Sequence, residues 1–240
     1  MFTSGLIFFY ARRNAFLAGD MDRVWALTES GLDGLHPAEF YQRAVWLLNS
    51  ADLAIYADAF DRADDYINRA VVWTEQIEAN EEGAWMRSAV LNARADLALA
   101  RFDATGDPAL AEAALADYES ADAAFGSPFF GENHIRALSH LARCEEASAA
   151  IDARLAALDT EEVNSFCQEP ENGITVDVWR LQLSRCRLMR LGNREGAAEA
   201  CTELEAMVER SCTQSFWEPD GDRMRLYEPL PEPLACFAEN

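Results

Sequence analysis

Four arginines, three on one predicted helix and one just after it, are the side chains of this sequence best suited to bind a ligand. Arg180, Arg187 and Arg194 are spaced seven residues apart, and Arg190 lies between the last two. On a helix this spacing places them in a stripe along one side. Guanidinium groups bind carboxylates and phosphates through paired hydrogen bonds. The stripe predicts a groove-lining site for an acidic peptide or a carboxyl terminus; pairing with the chain's own carboxylates is the alternative.

Metal binding and catalysis have weaker signals. His140 and Cys144 are four residues apart on one predicted helix, and this spacing presents two ligands on one face. No third or fourth ligand is near them in the sequence. The sequence also lacks a glycine-rich phosphate loop, a nucleophile elbow and a His-Glu-x-x-His motif. We therefore expect no metal, no cofactor and no catalytic residue, and we predict that the chain is not an enzyme.

The charge of the chain restricts its partners. Its formal net charge is −22, with 42 acidic residues against 20 basic ones, and all of the basic residues are arginine. Dense negative charge opposes binding to nucleic acid and to anionic lipid. No apolar run reaches the ~18 residues that a membrane-spanning helix needs. The apolar stretch near residue 6 has its arginines after it, the reverse of a secretory signal, so we expect a cytoplasmic protein without membrane insertion; a mature exported form with its signal removed is the alternative.

The six cysteines all lie in the second half of the sequence, and no Cys-x-x-Cys motif occurs. In a chain that is neither short nor visibly secreted, the expectation is buried free thiols that pack as small apolar groups. A bridge between Cys186 and Cys201 is the alternative, because these residues flank a predicted turn at Gly192 and Asn193.

Apolar residues recur at helical spacing along most of the chain, and strand signals are nearly absent. The sequence predicts an all-α protein. The predicted helices cover residues 3–18, 21–31, 37–57, 59–80, 84–104, 108–125, 132–144, 146–158, 175–191 and 194–211.

The breaks between these helices have local causes. Gly19 and Gly106 are suited to helix ends, Pro108 to a first helical turn, and Asp107 to an N-cap. The turns inside the predicted hairpins fall near 19, 58–60, 106, 145 and 192, in steps of about 40 to 47 residues. We predict a right-handed superhelical solenoid of about five antiparallel hairpins over residues 1–212. Residues 213–240, rich in proline and acid, are predicted to form an irregular tail on the last hairpin.

Two sets of small and large residues recur at one spacing: Ala63, Ile67 and Ala70, then Ala114, Tyr118 and Ala121. Each set lies on one helical face after a predicted turn. These sets resemble the second helix of tetratricopeptide repeats. The resemblance extends over about residues 5–210, and it implies a scaffold whose concave groove binds a peptide or a partner surface.

The start of the chain offers a second docking surface. Its first predicted helix carries the apolar residues Leu6, Phe8, Phe9 and Tyr10, whereas a terminal repeat usually needs a polar outer face. We expect a protein-interaction adaptor, a subunit of a larger assembly, that binds a protein or peptide through its groove or forms a homo- or hetero-oligomer through this helix. The alternatives are a regulatory domain that binds an anionic small ligand or acidic peptide at the arginines, and a helical enzyme with a closed acidic cavity.

Overall fold

A computed structural model describes residues 11–12, 14–16, 18–125, 132–160, 176–202 and 231–238. All regular secondary structure in these residues is helical, as the hydrophobic periodicity predicts, and none of them belongs to a strand. Within the same ranges, no helix is long and apolar enough to cross a membrane.

Eight helices have both ends within the described residues. Further helical residues are found at 11–12, 14–16 and 197–202. In chain order, the eight are α1 (Met21–Asp33), α2 (Phe40–Tyr56), α3 (Phe60–Thr74), α4 (Glu81–Thr105), α5 (Pro108–Ala124), α6 (Glu132–His140), α7 (Cys144–Thr160) and α8 (Val176–Leu191).

The chain divides into two compact units, Met1–Gly126 and Ser127–Asn240. In the first unit, α2 packs extensively along α3, and α4 packs along α5. In the second, α6 packs against α7, and α7 packs against α8. Consecutive helices therefore form packed neighbours, an arrangement compatible with a helical repeat.

Most helix bounds lie within a few residues of the predicted ones, but α3 is shorter. It ends at Thr74 rather than at residue 80. The reason is the cap of the next helix: Asn80 Oδ1 accepts a hydrogen bond from the Gly83 N–H at 2.9 Å, and α4 begins at Glu81. An asparagine in an extended conformation that satisfies a free N–H group starts a helix instead of continuing one.

Each of the five turns predicted inside a hairpin contains a residue in the left-handed backbone conformation close to the end of the preceding helix, and the turn after α8 has a second one, Gly196, with φ 82°. At the turn after α2, the Asp58 N–H donates to the Ile55 carbonyl, and the Ala59 N–H donates to the Ala54 carbonyl at 2.8 Å. This pair of bonds is a Schellman motif, which ends a helix sharply. The five residues, with their φ angles, are Gly19 (72°), Asp58 (54°), Gly106 (72°), Ala142 (56°) and Asn193 (47°).

The buried positions repeat relative to these turns. The residue seven before the left-handed residue is buried in all five cases, and the residues five and nine after it are buried in the first four. The position before the turn is occupied by Arg12, Ala51, Leu99, Ile135 and Cys186. The first position after it is occupied by Val24, Ala63, Ala111 and Ala147, and the second by Thr28, Ile67, Leu115 and Ile151.

Relative to the turns, Ala63 and Ile67 correspond to Ala111 and Leu115, and not to Ala114 and Tyr118 of the second set in the sequence. Ala63 and Ala111 are both fully buried, so a neighbouring helix approaches closely at each of them. Ile67 and Leu115 follow one helical turn later and fill the space beside that approach. The same packing solution is thus used after successive turns.

Candidate functional site

Arg187, on α8, binds a carboxylate of its own chain. Its Nε lies 2.7 and 2.8 Å from the two carboxylate oxygens of Glu132, the first residue of α6. The exposed fractions of the two side chains are 17% and 28%. A partly buried ion pair with this geometry holds the guanidinium against the helix rather than offering it to a ligand.

Arg190 binds the chain itself as well, at a different place. Its Nε donates a hydrogen bond to the Pro231 carbonyl at 3.1 Å, and its Nη2 lies 4.0 Å from a carboxylate oxygen of Glu232. Both acceptors belong to the C-terminal segment, defined here as residues 231–238. The predicted preference of this arginine for an acidic peptide is therefore met within the chain.

Arg194 follows the left-handed turn that ends α8. Its Nη2 donates to the Ser148 Oγ at 2.7 Å and lies 2.8 Å from the Asp152 Oδ1, so it clamps the turn to α7. Its guanidinium also lies over the ring of Phe237, 5.9 Å from the ring centroid. This side chain joins α7 to the C-terminal segment.

Three arginines of the predicted stripe contact the chain itself. Within the described residues, Arg187, Arg190 and Arg194 reach three different acceptors in the second unit. Pairing with internal acceptors, the alternative considered for the sequence, describes these three residues. The side chain of Arg180 lies outside the described residues, as do Leu6, Phe8, Phe9 and Tyr10.

The C-terminal segment is held by main-chain contacts as well as by arginines. The Leu234 N–H donates to the Leu191 carbonyl at 3.0 Å, and Asn193 Nδ2 donates to the Phe237 carbonyl at 3.2 Å. Leu191 and Asn193 belong to the end of α8 and its turn, where carbonyl and side-chain groups are free of the helical ladder. The C-terminal segment therefore binds at this helix end by completing its hydrogen bonds.

A disulfide bond fixes the same segment to α7. Cys144, the first residue of α7, is bonded to Cys236, 92 residues later, with a Cα–Cα distance of 5.2 Å. The Cys236 N–H also donates to the Ser139 Oγ at 3.4 Å. The C-terminal segment therefore spans two turns of the second unit, the one after α6 and the one after α8.

These bonds correct the expectation of free thiols. Cys186 is bonded to Cys201 across the turn after α8, with a Cα–Cα distance of 4.9 Å, as the alternative interpretation of the sequence allowed. All four cysteines in the described ranges are bridged; Cys167 and Cys212 lie outside them. The His140 and Cys144 pair is not a ligand set, because the sulfur of Cys144 is committed to the disulfide. The part of the chain that the structure describes contains no cluster of three or more potential metal ligands.

The first unit contains a buried cation that the sequence analysis missed. Arg12 is 3% exposed and occupies the position that holds Ala51 or Leu99 at later turns. Its Nη1 donates to the Ser50 Oγ at 2.7 Å, and its guanidinium lies 4.1 Å from the ring centroid of Trp46. Burial lowers the pKa of Arg12 to about 10.

The indole of Trp46 connects this arginine to α1. Its Nε1–H donates to the Thr28 carbonyl at 2.8 Å, and its ring lies against the backbone of Gly31. The Oγ1 of Thr28 is buried, and no acceptor or donor reaches it among the described residues. At the first turn, the buried position before the left-handed residue thus holds a polar side chain, Arg12, instead of an apolar one. The sequence does contain a signal for this site, because Arg12 lies seven residues before the turn residue Gly19.

The most distinct surface depressions open to solvent. One is lined by Asp58, Phe60, Asp61, Arg62 and Asp65, at the turn between α2 and α3. The other lies beside Gly19 and is lined by small and polar residues that include Asn14 and Arg23. Neither encloses a volume in which a reaction would be shielded from water.

Two large apolar side chains in the described ranges are exposed, and the ring of one of them, Tyr56, meets the ring of Phe16 edge to face with centroids 5.5 Å apart. Tyr56 is 71% exposed at the end of α2, and Val72 is 57% exposed near the end of α3. The tryptophans of the first unit are half-buried and contact neighbouring helices, as expected for packing residues; Trp73, for example, stacks on Phe40 at 6.1 Å. Single exposed apolar side chains do not make a docking patch.

Comparisons with protein-family models, with curated proteins and with solved structures find no match to this chain.

Proposed function

We propose that this protein is a non-catalytic interaction scaffold, built as a right-handed superhelical stack of about five helix pairs of the tetratricopeptide type. The observation that carries the proposal is the repeated register of the buried residues around five left-handed turns. A stack of repeated helix pairs has an extended surface in place of a closed chamber, and such surfaces bind other proteins.

The geometry of the arginines favours this function over an anion-binding regulatory domain. Arg187 and Arg194 each have a carboxylate of the same chain within 2.8 Å. A small anionic ligand would have to displace these carboxylates, whose effective concentration is fixed by the fold. The scaffold is therefore the function that these contacts support best.

The two disulfides indicate the kind of cellular compartment in which the protein is located. Structural disulfides persist in oxidising compartments and are rare in the cytosol. The Cys144–Cys236 and Cys186–Cys201 bonds therefore favour an oxidising compartment over the cytoplasmic location expected from the sequence. We include this location in the proposal.

The test is to isolate the protein from its native host and to identify what is bound to it. Amine-reactive cross-linkers are unsuitable because the sequence has no lysine; a dihydrazide with a carbodiimide activator would use the 42 carboxylates instead. We expect a stoichiometric partner chain, with cross-links to carboxylates of both units. Light scattering that shows a monomer, together with an absence of interchain cross-links, would contradict the proposal.

A further inference from the structure

The second unit already binds one peptide, namely its own C-terminal segment. Residues 231–234 have no helical structure and contact the end of α8 through the Leu234 N–H and the Pro231 carbonyl. Both contacts use main-chain atoms of the segment. A peptide with a free N–H three residues after an accessible carbonyl could make the same two bonds.

The side-chain contacts define what kind of peptide fits. Glu232 places a carboxylate 4.0 Å from Arg190, and Phe237 places a ring beneath the guanidinium of Arg194. Proline on both sides of Glu232 favours an extended backbone before binding, which reduces the entropy lost on docking. The chemistry is therefore that of a proline-containing peptide that is non-helical around one acidic side chain and forms a hydrogen-bonded turn at one aromatic side chain.

A covalent bond controls whether this site is available. Because Cys236 is bonded to Cys144, the segment cannot leave the end of α8 by diffusion alone. Breaking the bond replaces a permanent tether with non-covalent contacts, mostly polar and at a partly exposed surface. Such contacts are individually weak, so the free segment can exchange with a competing peptide.

We propose that the end of α8, with Arg190, Asn193 and Arg194, is a peptide-binding site that the C-terminal segment occupies while Cys144–Cys236 is oxidised, and that opens to a matching segment of a partner protein once the bond is reduced. The inference rests on the scaffold function proposed above and adds the chemistry of the partner and a control on its binding. The reductant is a dithiol. One of its thiolates attacks a sulfur of the disulfide, the mixed disulfide is resolved by the second thiol, and two electrons and two protons pass to Cys144 and Cys236 while the dithiol becomes a disulfide.

A fluorescent peptide with the sequence of residues 231–238, and with serine in place of Cys236, is the probe. The full-length receptor carries Cys144→Ser and Cys236→Ser, which remove the tether and leave Cys186–Cys201 intact. It also carries Leu234→Pro, which removes from the chain's own segment the N–H that bonds to Leu191. Fluorescence anisotropy without reductant should show binding at least tenfold tighter than to the oxidised wild-type protein.

Two substitutions in the freed receptor form a matched pair. Arg190→Ala should weaken peptide binding at least fivefold, whereas Arg187→Ala should leave it within twofold, because Arg187 binds Glu132 and not the segment. A peptide with proline at the position of Leu234 should not bind. Circular dichroism checks that each receptor is folded.

Three results would overturn the inference. One is a folded, freed receptor that does not bind the peptide, and another is equal binding by the oxidised wild-type protein. The third is a freed receptor without Leu234→Pro that forms dimers by exchanging segments, since the occupant would then be a second copy. These failures are separate from failure of the scaffold proposal, which is decided by the partner isolated from the native host.

Discussion

Ala142 and Gly106 share a left-handed backbone conformation, with φ angles of 56° and 72°, although only one of them is a glycine. Each ends a helix at the turn to the next one. The Ala142 N–H donates to the Ser139 carbonyl, and the Gly106 N–H donates to the Phe102 carbonyl. The Cβ of an L-residue is disfavoured in this conformation by about 1 to 2 kcal/mol, so the turn at Ala142 is strained whereas the turn at Gly106 is relaxed.

The first prediction follows from this strain. Ala142→Gly should raise the free energy of unfolding by about 1 kcal/mol, since glycine adopts the left-handed conformation without a steric cost. Gly106→Ala should lower it by about the same amount. A Cβ at position 106 meets no atom of another residue within 4 Å. The cost of Gly106→Ala therefore comes from the local backbone conformation and not from a clash with a neighbouring side chain. Urea unfolding followed by circular dichroism measures both changes.

The control for this prediction is the same substitution in mid-helix. Ala149 is exposed on α7, where glycine costs about 1 kcal/mol relative to alanine. Ala149→Gly should therefore destabilise the protein while Ala142→Gly stabilises it. Equal signs for the two variants would show that residue 142 is not left-handed in solution.

The second prediction concerns the close approach of α1 and α2. A Cβ built on Gly31 would clash with Cζ2 of Trp46, a ring already fixed by its hydrogen bond to the Thr28 carbonyl. Gly31→Ala should lower the free energy of unfolding by about 1 to 3 kcal/mol, even though alanine is the better helix former.

The nearby Gly34 supplies the comparison. It follows α1 with ordinary right-handed angles, φ −73° and ψ −16°, and it is exposed. Gly34→Ala should change the stability by no more than about 0.5 kcal/mol. If both alanine variants behave alike in thermal unfolding, the Trp46 ring does not pack on Gly31.

The third prediction concerns the cysteines. Peptide mapping of the non-reduced protein should recover Cys144 linked to Cys236 and Cys186 linked to Cys201. Replacing Cys186 and Cys201 together by serine should cost about 3 kcal/mol, the loop-closure value for a loop of this length. Alkylation of the protein in intact host cells before lysis tests the proposed compartment: reagent bound at these four positions would show that they are thiols there.

The fourth prediction is that the ion pair between Glu29 and Arg69 makes the stability of the fold depend on pH. Arg69 on α3 donates two hydrogen bonds of 2.9 Å to the carboxylate of Glu29 on α1. These bonds hold the pKa of Glu29 below its ordinary value of 4.5. A carboxylate whose pKa is lower in the folded than in the unfolded protein stabilises the fold above pH 4.5, and this contribution is lost as the pH falls through the folded value.

Glu29→Gln should therefore reduce stability at pH 7 by about 0.5 kcal/mol, a small effect because the Glu29 side chain is 45% exposed. The difference between the variant and the wild-type protein should shrink toward zero in acid. Glu119→Gln, at an exposed position on α5, controls for the general effect of removing one negative charge. A difference that is constant from pH 7 to pH 3 would count against the ion pair.

The local part of the fold could be predicted because its causes are local. Asp107 caps α5 as expected, its Oδ1 accepting from the Ala109 N–H at 3.0 Å, and Pro108 is the first residue of that helix. The turn at Ala142 was placed a few residues late, near 145, because alanine carries no turn signal. There the conformation is imposed by the packing of α6 against α7.

The candidate site depended on contacts that no sequence spacing reveals. The arginine pattern identified Arg190 and Arg194, yet their partners Pro231 and Ser148 lie more than 40 residues away in the chain. The Cys144–Cys236 bond joins residues 92 apart. Six cysteines allow 15 pairings, and only the three-dimensional arrangement of the two turns selects among them.

The sequence by itself determined that the chain is helical, where most helices begin and end, and which small residues let neighbouring helices approach, because capping and periodicity act within a few residues. The tertiary structure decided which arginine binds which acceptor, which thiols are bonded, and that the C-terminal segment occupies the end of α8. Those outcomes depend on which distant groups the packed helices bring within a few ångströms of one another, and a hydrogen bond or a disulfide forms only at that distance.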